Sequence, residues 1–173
     1  MAHIKERKMK GIVNLAVLGI FLLTFSSKSY CQGNEAYLEK FADSYRFRVG
    51  YPSKLIENCI PTAAMLKIVV GAKSEVVKMA LSDSADPALQ KAFLSARERF
   101  DLKSLNTYLK LEKIKSSTIF FPVYVSLTNV ACVMKSVELD VLKKLFSFGN
   151  SNFAGELRLK KPIDIHLITT EEF

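Results

Sequence analysis

The sequence predicts an α+β domain, built in two layers as an antiparallel sheet with helices on one face. Three observations predict it. Two alternating apolar runs flank a Gly-led turn at 71–74, the pattern of a β-hairpin. A proline-led stretch at 87–100 then changes to helical spacing. A strand–helix–strand succession with the same two periods fills 116–168. The expected order is a β-β-α-β core followed by an α-β extension. No repeat, low-complexity tract or linker divides the chain, so 32–173 reads as a single domain.

The chain has 173 residues, 49% of them apolar, enough for a proper core and too apolar for disorder. Its formal charge of +8 is unevenly spread. Residues 1–31 carry a net +4, from Lys5, Arg7, Lys8, Lys10 and Lys28 against Glu6, so about +4 remains for the rest. That mild charge, with no Lys/Arg run interleaved with aromatics, excludes a nucleic-acid footprint.

Residues 1–31 have the layout of a secretory signal peptide: a basic head to Lys10, an apolar run from Gly11 to Phe25, then small and polar residues. Cleavage after Cys31 or after Ser29 satisfies the small-residue rule. The alternative is an uncleaved inner-membrane anchor, for which the run is short of the roughly 20 residues a bilayer requires. The expected location is therefore periplasmic or secreted. After cleavage Cys59 and Cys132 remain. An oxidising compartment permits one disulfide between them, and two buried thiols fit the sequence as well.

The elements follow in order. Residues 34–47 place Tyr37, Leu38, Phe41 and Tyr45 at helical spacing behind Asn34, a short helix expected at the edge of the domain. A helical turn is expected in 53–61, before Pro61. In the hairpin, Leu66, Ile68 and Val70 share one face, as do Val77, Met79 and Leu81. The polar knot "SDSAD" stops the second strand, because Ser and Asp side chains compete for backbone groups. Asp86 is placed to cap the next helix and Pro87 to start it. Leu89, Ala92, Phe93, Ala96 and Phe100 form its apolar stripe.

Residues 101–115 read as a polar link with a helical turn or two around Leu102, Leu105 and Leu109. Residues 116–127, "SSTIFFPVYVSL", are the strongest strand, and Pro122 predicts an edge position or a bulge. Residues 136–146 read as an amphipathic helix, with Val137, Val141, Leu142, Leu145 and Phe146 on one side. A turn at 149–152 leads to the last strand, 156–168, which Pro162 bends or places at an edge.

The stretch 51–127 resembles the C-terminal domain of TonB-type energy transducers. The likeness rests on Tyr51-Pro52, the helical segment Lys54 to Ile60, the hairpin 63–70 and 75–82, and Ser82, Ser84, Asp86, Pro87, Leu89, Ala92 and Phe93 in turn and helix. The resemblance implies a protein-binding module of a Gram-negative envelope that engages a partner, such as an outer-membrane receptor, by strand addition. The turn 71–74 lacks the family's Asp-Gly pair, and no Pro-rich spacer precedes the domain, so the likeness is to a divergent, stand-alone relative.

The expected partner-binding edges carry Ile119, Phe121, Val123 and Val125 on one strand, and Ile163 and Ile165 on the other. The alternatives are a structural or assembly protein, a homo-oligomer through such an edge, and a thiol-dependent hydrolase pairing Cys59 or Cys132 with His166. No motif supports the last, and Glu138, Asp140 and Asp164 are isolated acids, so no enzyme is expected. No phosphate loop or metal-ligand spacing appears, so no cofactor, metal or small-molecule substrate is expected.

Overall fold

The computed structural model describes residues 33–129, 137 and 139–169. The expected signal segment, Cys132 and Glu138 lie outside them.

Helix α1 covers 33–48. Its Leu38, Phe41, Ala42 and Tyr45, with Val49 just beyond, recur every three or four residues and are all buried. The helix expected at the edge of the domain thus packs one face into the main core while its other side, with Glu39, Lys40 and Phe47, stays exposed. Phe41 packs on Phe121, with ring centroids 5.6 Å apart, and Tyr45 on Phe93 and Phe100, at 6.1 and 5.4 Å. Each such ring contributes about 1.5–3 kcal/mol by leaving water.

The short helix α2 (Ser53–Glu57) buries only Leu55. Strands β1 (Thr62–Val70) and β2 (Val76–Leu81) form the expected antiparallel hairpin, closed by the Gly71 N–H on the Glu75 carbonyl at 2.9 Å. A bulge next to the turn pairs Val70 with Val76 but Val69 with Lys78. Val77 is the extra residue. It is 63% exposed, whereas Met79 and Leu81 face the core as expected.

Helix α3 (Pro87–Ala96) starts as its sequence predicts: Pro87 leads it, and the Asp86 carboxylate accepts the Ala88 N–H at 2.7 Å. A 3-10 turn (Arg97–Arg99) leads to α4 (Leu102–Leu111), where a loose link was expected. The missed signal is Asp101, whose carboxylate accepts both the Ser104 N–H and the Ser104 hydroxyl. Leu105, Tyr108 and Leu109 then bury one side of this helix.

Strand β3 (Ser117–Asn129) is followed by α5 (Leu139–Lys143), β4 (Arg158–Leu159) and β5 (Ile163–Thr169). The strand order is β2-β1-β3, with β4 and β5 in tandem along the far side of β3. β3 is antiparallel to β1 but parallel to β4 and β5, so the sheet is mixed rather than wholly antiparallel. The reason is the crossover: the chain leaves β3 at its end and rejoins it beside its beginning, so it must run in the same direction.

β3 is therefore central, which corrects the expected edge position. The Lys160 N–H donates to the Phe120 carbonyl at 2.8 Å, so even-numbered β3 residues turn their backbone groups toward β4 and β5. Pro122 lacks its N–H on that side. The outer strand has no rung there: β4 ends at Leu159, β5 begins at Ile163, and the register slips by one residue between them. The proline was a sound signal for a bulge, but the bulge lies in the neighbouring strand.

Helices α1, α3 and α4 cover the face formed by Ala64, Leu66, Ile68, Ile119, Phe121, Val123 and Ile163. On the opposite face Phe120 is fully buried under Phe146, Phe148 and Phe153, at 6.4, 6.1 and 4.8 Å. These three rings come from a small hairpin whose turn residues Gly149 and Asn150 both have positive φ, as a type I′ turn requires. Of the apolar stripe expected over 136–146, Phe146 packs on Phe120, Val137, Val141 and Leu145 are half-buried, and Leu142 is exposed. α5 is a short helix with Leu139 67% and Leu142 43% exposed.

Candidate functional site: the outer edge of the sheet

Of the two strands expected to offer an edge, only β5 does. Ile119, Phe121, Val123 and Val125 are buried in the central strand, bonded on both sides. Ile163 is buried and Ile165 partly so, both on the core face of β5.

Among the described residues no strand pairs with the second side of β5, and the register shows which groups face that side. Tyr124 stands opposite Asp164 and turns its backbone toward β5, so it bonds to Ile163 and Ile165. The backbone groups of Asp164 and His166 therefore turn outward. Sequence reasoning named Ile163 and Ile165; the residues whose backbone faces the edge are Asp164 and His166, which alternate with them. Alternation could have shown this once the position of β3 was known.

Helix α1 guards the start of this edge. The Arg46 Nε donates to the outward Asp164 carbonyl at 3.2 Å, and its Nη1 reaches Glu39 at 3.0 Å and Asp43 at 2.6 Å. Partial burial pulls the guanidinium pKa down, but the two carboxylates outweigh it and hold it above its ordinary value. Arg46 is thus a fixed cation clamped between α1 and β5. Beyond Asp164, the exposed His166 places its Nδ1 2.5 Å from the Ser126 Oγ, a cross-strand pair on the face opposite the core. Tyr124, 42% exposed, lies beside it on that face.

β2 is the other outer strand. Its bulge, its exposed Lys78 and the capture of its first N–H by the Asn106 side-chain Oδ1 at 2.9 Å blunt it against pairing.

The remaining sequence candidates are scattered. Cys59 is disulfide-bonded, which removes it as a free thiol nucleophile for His166. The other cysteines, Cys31 and Cys132, lie outside the described residues. Asp140 forms an exposed pair with Lys143 at 2.9 Å on α5. Among the described residues no three His, Cys, Asp or Glu side chains converge to hold a metal ion, and no helix is long and apolar enough to cross a membrane.

Comparison of the chain with protein-family models, with curated proteins and with solved structures returned no match.

Proposed function

We propose that the chain is an exported envelope protein, a divergent relative of the TonB C-terminal domain, that binds an extended segment of a partner protein along the outer edge of β5. The observation that carries this reading is the outward backbone of Asp164 and His166 on an outermost strand of the sheet. Such an edge offers a register-defined row of donors and acceptors, and strand addition gains its affinity from that row. Arg46 occupies the first outward carbonyl and so sets where a partner strand begins. The signal-like first 31 residues and the disulfide at Cys59 support an oxidising, exported setting.

The test is capture of envelope proteins by the exported protein, with competition by extended peptides from whatever is captured. His166→Pro removes an outward N–H while leaving the inward bonds of Ile163 and Ile165 to β3 in place. The variant is expected to fold and to lose the competable partner. Retained binding in a folded H166P protein, or no competable partner for the parent chain, defeats the proposal.

A further inference from the structure

A second recognition feature lies at the other end of β3. A cleft of about 340 Å³ opens between Lys115–Thr118 on one wall and Phe153–Glu156 with Arg158 on the other. That volume falls at the lower end of the range of about 300–1,000 Å³ typical of small-molecule sites. We propose that this cleft binds a small phosphate-bearing organic molecule, with the oxyanion seated on Arg158 and Lys115.

Arg158 supplies the first argument. Its Nε and Nη2 meet the two carboxylate oxygens of Glu156, each at 3.1 Å, in the paired geometry by which guanidinium groups recognise carboxylates and phosphates. This internal anion is a ready stand-in for a ligand's. The two side chains are 45% and 73% exposed, and a pair so open to water contributes little, so a better anion can displace Glu156.

The wall chemistry supplies the second. Ser116 and Thr118 bring hydroxyl-bearing side chains to this wall, Thr118 on the same face of β3 as Phe120. β4 begins alongside Ile119, so no described strand lies against this side of Ser116–Thr118. Gly155 has φ 151°, and a Cβ there would press on the Phe153 ring at 3.1 Å, so glycine keeps this wall in place. Two cations against one carboxylate leave the cleft positive once Glu156 moves aside.

The test is an amide-shift titration of the isotope-labelled exported protein with glucose 6-phosphate and, separately, inorganic phosphate, followed at Thr118 and Gly155. Saturable shifts with glucose 6-phosphate are expected. Equal affinity for inorganic phosphate would place recognition in the phosphoryl group alone and still uphold an oxyanion site. Arg158→Gln and Lys115→Gln should each weaken binding by about tenfold through loss of a charge-assisted contact. Glu156→Gln should tighten it about threefold by freeing Arg158. All three changes are at exposed side chains and leave the fold intact. No saturable shift with either probe, an unchanged R158Q, or a weakened E156Q would overturn the proposal. None of these outcomes bears on the β5 edge.

Discussion

Asp83 and Ser147 hold each other across 64 residues of chain. The Asp83 N–H donates to the Ser147 carbonyl at 2.7 Å, and the Ser147 hydroxyl donates back to the Asp83 carboxylate at 2.5 Å. The amides of Gly149 and Asn150 add two more bonds to that carboxylate, each at 2.8 Å. The pair ties the end of the first hairpin to the small hairpin that covers Phe120. Asp83→Ala should lower stability by about 1–3 kcal/mol, measured by urea unfolding, because three donors lose a charged acceptor.

The same carboxylate has a pH signature. The Ser147 hydroxyl holds its pKa below the ordinary value; burial, the next-largest influence, opposes this, and the Asn150 and Gly149 amides and the charge of Lys144 outweigh it together with Ser147. A depressed folded pKa means the contribution is fully present above the unfolded value of about 3.9 and is lost as pH falls through the folded one. Asp83→Asn should therefore flatten the acid limb of the stability curve below about pH 4, with little change in its slope near neutrality. An unchanged acid limb would show that the carboxylate is not held as described.

Tyr45 invites the opposite kind of test. Its ring is fully buried among Phe93 and Phe100, its hydroxyl has no partner among the described residues, and burial pushes its pKa well above the usual phenol range. Tyr45→Phe removes a desolvated hydroxyl and keeps the packing. Stability should stay level or rise by about 1 kcal/mol on denaturant unfolding. A loss of that size would reveal a partner for the hydroxyl.

Phe120 and Leu139 should respond very differently to truncation. Phe120 is fully buried beneath three aromatic rings, so Phe120→Ala should cost about 3–5 kcal/mol. Leu139 is 67% exposed, so Leu139→Ala should lie within about 0.5 kcal/mol of the parent chain. Comparable losses at the two sites, in the same unfolding assay, would mean that α5 is packed against something further.

The disulfide partner of Cys59 is expected to be Cys132. The Tyr51 hydroxyl donates to the Ile60 carbonyl at 2.7 Å, placing the Cys59 corner beside the end of α1. Thr62 pairs with Val125, and β3 continues toward that corner as far as Asn129. Cys31 precedes the opposite end of α1, where the Asn34 side chain meets Glu112 at 3.0 Å. A helix over 33–48 spans about 24 Å, which separates Gly33 at its start from the end that Tyr51 follows. Non-reducing peptide mapping should link the Cys59 and Cys132 peptides. A Cys31 link would reject this pairing and the expected cleavage after Cys31 together.

The "SDSAD" knot shows how much of this was legible. Asp86 as a helix cap is a local matter, decided by the proline beside it, and it was read correctly. Ser82 is less legible: its hydroxyl accepts the Met65 N–H at 2.8 Å and bonds Ser84 at 2.6 Å, so it completes the hairpin where the strand itself stops. Asp83 was not legible at all, since its partners are far along the chain. At the candidate edge, the strand was read and its exposed residues were not.

By itself, the sequence determined most of where the chain is helical and where extended (α4 excepted), how α3 begins, and which side chains of β1 and α3 enter the core. These follow from local periods of two and 3.6 and from side chains bonding to their own neighbours. Only the tertiary structure decided that β3 is central, that β5 runs parallel to it at the rim, and that Asp164 and His166 face outward. Strands join through backbone groups that every residue but proline carries alike, so side-chain patterns reveal a strand's faces without revealing its neighbours.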